Sequence, residues 1–244
     1  MKTNLKPAFR YQFNSFIRGS GIIYLILIAI VAISMVGNIY TNGNFFVSFT
    51  GYSITIAIFM FVMGIVNIRN DLRLCLQYGV SRRTSFVSEI LTVMSAAVIL
   101  AAAVEVLTVV TQLLTVNNSN LFVADIYQLI YVGTDIPSLS LSQHALSALF
   151  NTSLMFAACL GGMFFSLMFW RLSKVWTIIV AVSIPVLINV VPMLLYRIGV
   201  DLTPFIRWLT SSPFCFVVFF LLFAALLGII DWLLLRRANI KEAK

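Results

Sequence analysis

Glu89, Glu105 and Asp231 stand inside long apolar runs, and they are the acids from which buried chemistry could be built. A carboxylate in hydrocarbon is costly or takes up a proton, so each is a candidate for a functional role. Glu89 and Asp231 fall close to basic clusters, where Arg82, Arg83 or Arg236 can pair with them. Glu105 comes sixteen residues after Glu89, which along a helix is ~24 Å. Two expectations stand side by side for it. One is a contact for a cationic substrate, or a gate, in the outer half of a bundle. The other is a carboxylate that reaches external water or pairs with Arg197 or Arg207.

The remaining chemistry is sparse. His144 is the single histidine, which excludes a His-x-x-x-His metal site and weakens any hydrolytic triad. Cys75, Cys159 and Cys215 lack metal spacing and read as small apolar side chains. No glycine is followed by lysine, so the phosphate-binding loop of an ATPase is missing. The paired intramembrane carboxylates of an embedded protease are not expected either. The chain is therefore expected to hold no cofactor or metal and not to be an enzyme. If ATP drives it, a second polypeptide must bind the ATP and Mg.

The elements that position these residues follow from composition. The 244 residues are 61% hydrophobic and 10% charged, with mean hydropathy +1.03. An apolar run of ~20 residues crosses a ~30 Å hydrocarbon core. Residues 19–68 carry no charge, and Tyr40-Thr-Asn-Gly-Asn44 divides that stretch in two. The predicted spans are about 20–39, 45–68, 86–114, 145–170, 175–195 and 213–235. The expected fold is all-α integral membrane, one domain of six helices over 1–244, and continuous rather than alternating runs disfavour a β-barrel.

Charge orients the bundle. Fourteen of the sixteen basic residues lie in four clusters, around 2–18, 69–83, 171–174 and 236–244; only Arg197 and Arg207 lie elsewhere. The positive-inside rule then places both termini in the cytoplasm. The net charge of +8 reads as attraction to anionic lipid headgroups, with no nucleic-acid partner. Twenty mixed residues precede the first span, so no cleavable leader is expected.

Two segments flanking the spans carry further signals. Leu5, Phe9, Phe13, Phe16 and Ile17 recur at helical spacing, which predicts an interfacial helix over 4–18 before the first span. The loop between spans two and three contains Asp71-Leu-Arg-Leu-Cys-Leu-Gln-Tyr-Gly79, then Ser81-Arg-Arg83. Asn70 or Asp71 can start a short helix, Gly79 can end it, and Ser81 can cap the third span. Such a helix would show Leu72, Leu74, Leu76 and Tyr78 beside Arg73, Arg82 and Arg83, a surface suited to docking in a groove of another protein. A stub packed on its own bundle is the plain alternative.

Six spans, the N-terminal interfacial helix, the stretch Gln77-Tyr-Gly-Val-Ser-Arg-Arg-Thr-Ser85 and the closing Trp232-Leu-Leu-Leu-Arg-Arg-Ala-Asn-Ile-Lys241 resemble the small ABC-2-type permease subunits of Gram-positive bacteria. Members of that family include phenol-soluble-modulin exporters and antimicrobial-peptide resistance systems. The resemblance implies that residues 70–84 form a coupling helix seated in a separate cytoplasmic ABC ATPase, in a bacterial cell membrane. It also implies that a second permease, an identical copy or a paralogue, completes the pathway. An amphipathic or hydrophobic peptide or lipid-like cargo suits spans with so few fixed charges. A proton-coupled carrier using Glu105 and a non-transporting scaffold or immunity protein are the alternatives.

Small residues and prolines complete the reading. Ala157, Ala158, Gly161 and Gly162 allow close helix contact on span four, within the bundle or at a permease–permease seam. Pro185 and Pro192 are expected to kink span five. Phe122, Ile126, Leu129 and Ile130 have the spacing of a helical cap on the outer face.

Overall fold

The computed structural model describes residues 5–40, 47–115, 121–133, 139–172 and 201–236, together with residues 177, 179, 183, 186, 189–194 and 197–199. The expected span at 175–195, with Pro185, therefore lies largely outside the described residues, as does the basic tail beyond Arg236. Among the described residues, five helices are long and apolar enough to cross a membrane, the make-up of a multi-pass membrane protein.

Helix α1 runs Leu5–Tyr40, and strand β1 follows at Val47–Thr50. Helix α2 is Tyr52–Gln77 and α3 is Arg82–Thr115. Strand β2, Leu121–Ala124, leads into a π-helical turn at Gln128–Val132. Helix α4 is Leu141–Arg171, α5 is the nine-residue Thr203–Ser211, and α6 is Pro213–Arg236. Side chains such as Ile22, Leu25, Ile33, Leu222 and Ile229 are exposed on the outside of the bundle. That is where hydrocarbon, rather than water, would meet them.

Two expected short helices do not stand apart. No break separates 5–18 from the first span, since α1 is continuous to Tyr40. Ser20 donates its hydroxyl to Phe16 O at 2.9 Å across the expected junction, and Phe16 and Gln12 are buried in the bundle. The anticipated start at Asn70 or Asp71 is likewise absent, because α2 runs through to Gln77. Asp71 is buried between helices instead of capping one.

Local chemistry does fix where α2 ends. Gly79 adopts φ +71°, Gly79 N–H donates to Leu76 O at 3.0 Å and Val80 N–H to Cys75 O at 2.9 Å, the paired bonds of a Schellman end. Ser81 then accepts the Thr84 N–H on its hydroxyl at 3.2 Å and caps α3.

The closest packing is between α2 and α4. A Cβ on Gly162 would sit 2.0 Å from Phe61 O, and one on Gly64 would sit 2.2 Å from Cys159 O. The small residues of α4 thus form a seam inside this chain, where helices approach through missing side chains. Between α1 and α3, Tyr24 donates its hydroxyl to Leu100 O at 2.7 Å.

At the ends of α1 and α3 the two strands pair in parallel, with Val47 opposite Leu121 and Thr50 opposite Ala124. The stretch expected as a helical cap is therefore a strand followed by a π-turn. Ile126 is partly covered, and Leu129 and Ile130 are exposed. Arg82 Nη1 donates to Arg236 O at 3.3 Å, bringing the end of α6 to the start of α3. The described basic residues of α1, of the α2–α3 turn and at the end of α6 thereby gather at one end of the bundle and the strands at the other, while Arg207 of α5 stands apart from them.

Candidate functional site

Two places in the bundle concentrate polar chemistry. The first is a network around Glu105 in the half that carries the strands. Glu105 on α3 takes His144 Nδ1 on Oε2 at 3.0 Å, while its Oε1 accepts from Ser147 Oγ and from Asn151 Nδ2 at 3.2 Å. Asn151 Nδ2 also donates to Asp125 Oδ2 at 2.8 Å. Asp125 Oδ1 accepts from the hydroxyl and, at 3.4 Å, the backbone N–H of Ser53.

Each member is positioned by an element's end. Ser140 and Gln143 form a reciprocal capping box that starts α4, so His144, Ser147 and Asn151 fall on one face over its first turns. Gly51, at φ +77°, turns the chain from β1 into α2 and places Ser53 in the first turn. The Asp125 carboxylate then serves that helix N-terminus from another segment, where unpaired N–H groups and the helix dipole favour an anion.

The order of groups excludes a hydrolytic triad. In a triad the imidazole bridges the hydroxyl and the carboxylate. Here the Glu105 carboxylate bridges His144 and Ser147, so the imidazole is not aligned on the serine. Among the described residues no set of three His, Cys, Asp or Glu side chains is arranged to hold a metal ion. The arrangement can hold or pass a proton, since imidazole and carboxylate share a hydrogen bond, and it ties α3 to α4.

The partners of Glu105 differ from those expected. Neither Arg197 nor Arg207 pairs with it, and His144 is its ion-pair partner among the described residues. Asp125 was not anticipated. It lies in a short irregular segment where no periodicity marks it, and only its carboxyl type among apolar neighbours could have signalled it.

The second place is the basic end. Among the expected coupling residues, Asp71 and Leu72 are buried, Leu74, Leu76 and Arg82 are half-buried, and Arg73, Gly79 and Arg83 are exposed. Tyr78 is 77% exposed, at the tip of the α2–α3 turn. Leu74, Cys75, Tyr78 and Val80 join Pro7, Ala8 and Tyr11 of α1 in lining a groove of about 520 Å³. The exposed Arg73 and Arg83 belong to the same turn region as this groove.

Among the described residues, the acids of this half, Asp71, Glu89 and Asp231, have no arginine partner. Both Asp231 carboxylate oxygens are buried without a hydrogen-bond partner, and so is Glu89 Oε2. Arg82 is turned to the Arg236 carbonyl, and Arg69 donates to Ser166 O at 2.9 Å with its guanidinium 6.0 Å from the Trp170 ring. Glu89 meets Asp71 instead, so a carboxyl pair is present where none was expected. Asp71 is 5% and Glu89 2% exposed.

Outside the spans, Asp201 accepts the Thr203 N–H at 2.8 Å. Hydrogen bonds from the Thr203 side chain and backbone hold its carboxyl below the usual range. This carboxylate helps start α5.

Compared with known proteins, the chain matches no family model, no curated protein and no solved structure.

Proposed function

We propose that this chain is the membrane-embedded permease subunit of an exporter driven by a separate ABC-type ATPase. The ATPase docks on the turn between α2 and α3 at a cytoplasmic basic end. One observation carries the reading: a rigid, Schellman-terminated turn holds Tyr78 77% exposed beside the groove between α1 and α2. A tyrosine held out next to Arg73 and Arg83 is the type of side chain that anchors interfaces. Because α2 is continuous from Tyr52 to that turn, force applied at Tyr78 reaches the Ser53–Asp125 contact at the opposite end without a hinge. Transport then proceeds by tilting α2 and α3 together, and a second permease, identical or paralogous, closes the path for an amphipathic or lipid-like cargo.

The test is capture. The full chain, isolated from its native membrane in mild detergent, should retain a soluble ATPase. Replacing Leu74 and Tyr78 together with Asp should reduce that retention at least tenfold while membrane insertion stays intact. Wild-type retention by the double variant would end the docking assignment.

The Glu105–His144 pair favours a second reading, a proton-coupled carrier that needs no ATPase. Proton-driven uptake into vesicles by the chain alone, abolished by Glu105→Gln, would select it.

A further inference from the structure

Helix α1 does not bend aside at its start; it is one helix from Leu5 to Tyr40. On its outer side the exposed Ile22 and Leu25 mark where hydrocarbon begins, and Arg18, one turn earlier, is the last charge before them. Asn14, Arg10 and Lys6 are exposed as well, four, eight and twelve residues before Arg18. Along the axis that is ~6, ~12 and ~18 Å further out. A headgroup layer is only ~5–8 Å deep on each side, and helical side chains lean towards the N-terminus, here away from the membrane. Asn14 therefore lies among headgroups, while Arg10 and Lys6 stand beyond them. The α2–α3 turn projects to a similar height. Val66 is the last exposed apolar side chain of α2 before Arg69, and Tyr78 comes nine residues after Arg69, ~13 Å further out.

Two clefts meet on this projection. One, of about 440 Å³, is lined by Lys6, Pro7, Arg10, Tyr11 and Asn14 of α1 alone. The other is the groove of about 520 Å³ that Leu74, Cys75, Tyr78 and Val80 share with α1. Pro7 and Tyr11 line both, so a cationic cleft adjoins an apolar one. Exposed charge here has one sign. Lys6, Arg10, Arg73 and Arg83 are exposed, whereas Asp71, Glu89 and Asp231, the described acids of this end, are buried. Among the described residues neither Lys6 nor Arg10 has an ion-pair partner. Such a face is complementary to carboxylates, with room beside them for an apolar anchor.

We propose that the first two turns of α1 and the α2–α3 turn form one composite dock for an acidic protein segment. Its carboxylates sit on Lys6 and Arg10, and one apolar side chain enters the groove between Tyr11 and Tyr78. On the function proposed above, on which this assignment rests for its partner, the segment belongs to the ATPase. A phospholipid matches the charge but not the height, since its phosphate meets Asn14 and Arg18 and leaves Lys6 and Arg10 free.

The full chain in phosphatidylcholine nanodiscs, titrated with a fluorescent peptide of four glutamates flanking one phenylalanine, tests the dock. The peptide should bind wild type and be released by raised salt, and its glutamine counterpart should not bind. Lys6→Gln with Arg10→Gln should weaken binding about tenfold, or about 1.4 kcal/mol, whereas Arg207→Gln on α5 should leave it unchanged. Absence of binding, equal binding of both peptides, or full binding by the double variant would overturn the proposal. So would enrichment of phosphatidylglycerol around wild type over the double variant, after extraction from vesicles of equal phosphatidylcholine and phosphatidylglycerol, because the cleft would then belong to the membrane. ATPase capture separates this dock from the docking reading itself. Full retention of the ATPase by the Lys6 and Arg10 variant, with loss in the Leu74 and Tyr78 variant, would remove α1 from the dock and leave that reading standing. Peptide binding as expected with no ATPase recovered would keep the dock and reject the ATPase as its occupant.

Discussion

Glu105 is held by three side chains of α4, each of a different kind. His144 offers a ring nitrogen, Ser147 a hydroxyl and Asn151 an amide shared with Asp125. Glu105→Gln keeps the shape but removes the charge that strengthens all three bonds. It should lower stability by about 1–3 kcal/mol, read as an earlier thermal unfolding midpoint in nanodiscs, and it should impair transport. An unchanged midpoint would mean that the network contributes nothing to the α3–α4 contact. The acid itself was legible in the sequence, because a charge within an apolar run is conspicuous. Its partners were not. They lie 39 to 46 residues away, and no local rule joins α3 to the first turns of α4. The arginines expected for Glu89 and Asp231 misled for the same reason: nearness in sequence to a helix end does not say which carbonyl a guanidinium will find.

Helix ends were readable where they depend on a few neighbouring residues. Gly79 and Ser81 end α2 and begin α3 as their types require, since a left-handed backbone and an N-terminal hydroxyl are local demands. Helix continuity was not readable. Asp71 has the composition of a cap, yet burial against Glu89 claims its carboxyl, and α2 passes through. The interfacial segment merged into α1 in the same way, because Gln12 and Phe16 found partners inside the bundle. At this scale the α2–α4 seam yields a sharp expectation. Gly162→Leu must displace the backbone at Phe61, against which even a Cβ would come within 2.0 Å. The loss should be at least about 3 kcal/mol, as for overpacking against an element that cannot give way. It should appear as a much lower detergent-unfolding midpoint, whereas Gly228→Leu, with open space around it, should leave the midpoint nearly unchanged.

For the whole molecule, composition and charge placed the class and the basic end, and the five described spans agree with long apolar runs in sequence. The pairing of β1 with β2 left no trace in any single stretch, since parallel strands separated by two long helices are joined only in space. Sidedness is the prediction that belongs here. In sealed inside-out vesicles, a membrane-impermeant thiol reagent should label Tyr78→Cys and not Leu141→Cys, and right-side-out vesicles should reverse the pattern. Labelling of both from one side would remove the bundle from the membrane orientation proposed.

Three hydrogen bonds bear on how many times the proposed permease crosses the membrane. Tyr131, in the turn after β2, donates to Leu209 O of α5 at 3.1 Å, so α5 belongs to the strand end. Arg82 reaches Arg236 O, so α6 finishes at the opposite end, beside the close of α4, where Arg69 holds Ser166 O. On the topology proposed, the span expected at 175–195 carries the chain from the close of α4 to α5. With that span the proposed path has even parity, so Met1 and Lys244 are expected in one compartment. Protease tags fused at Met1 and Lys244 should be cut together or spared together in any sealed vesicle.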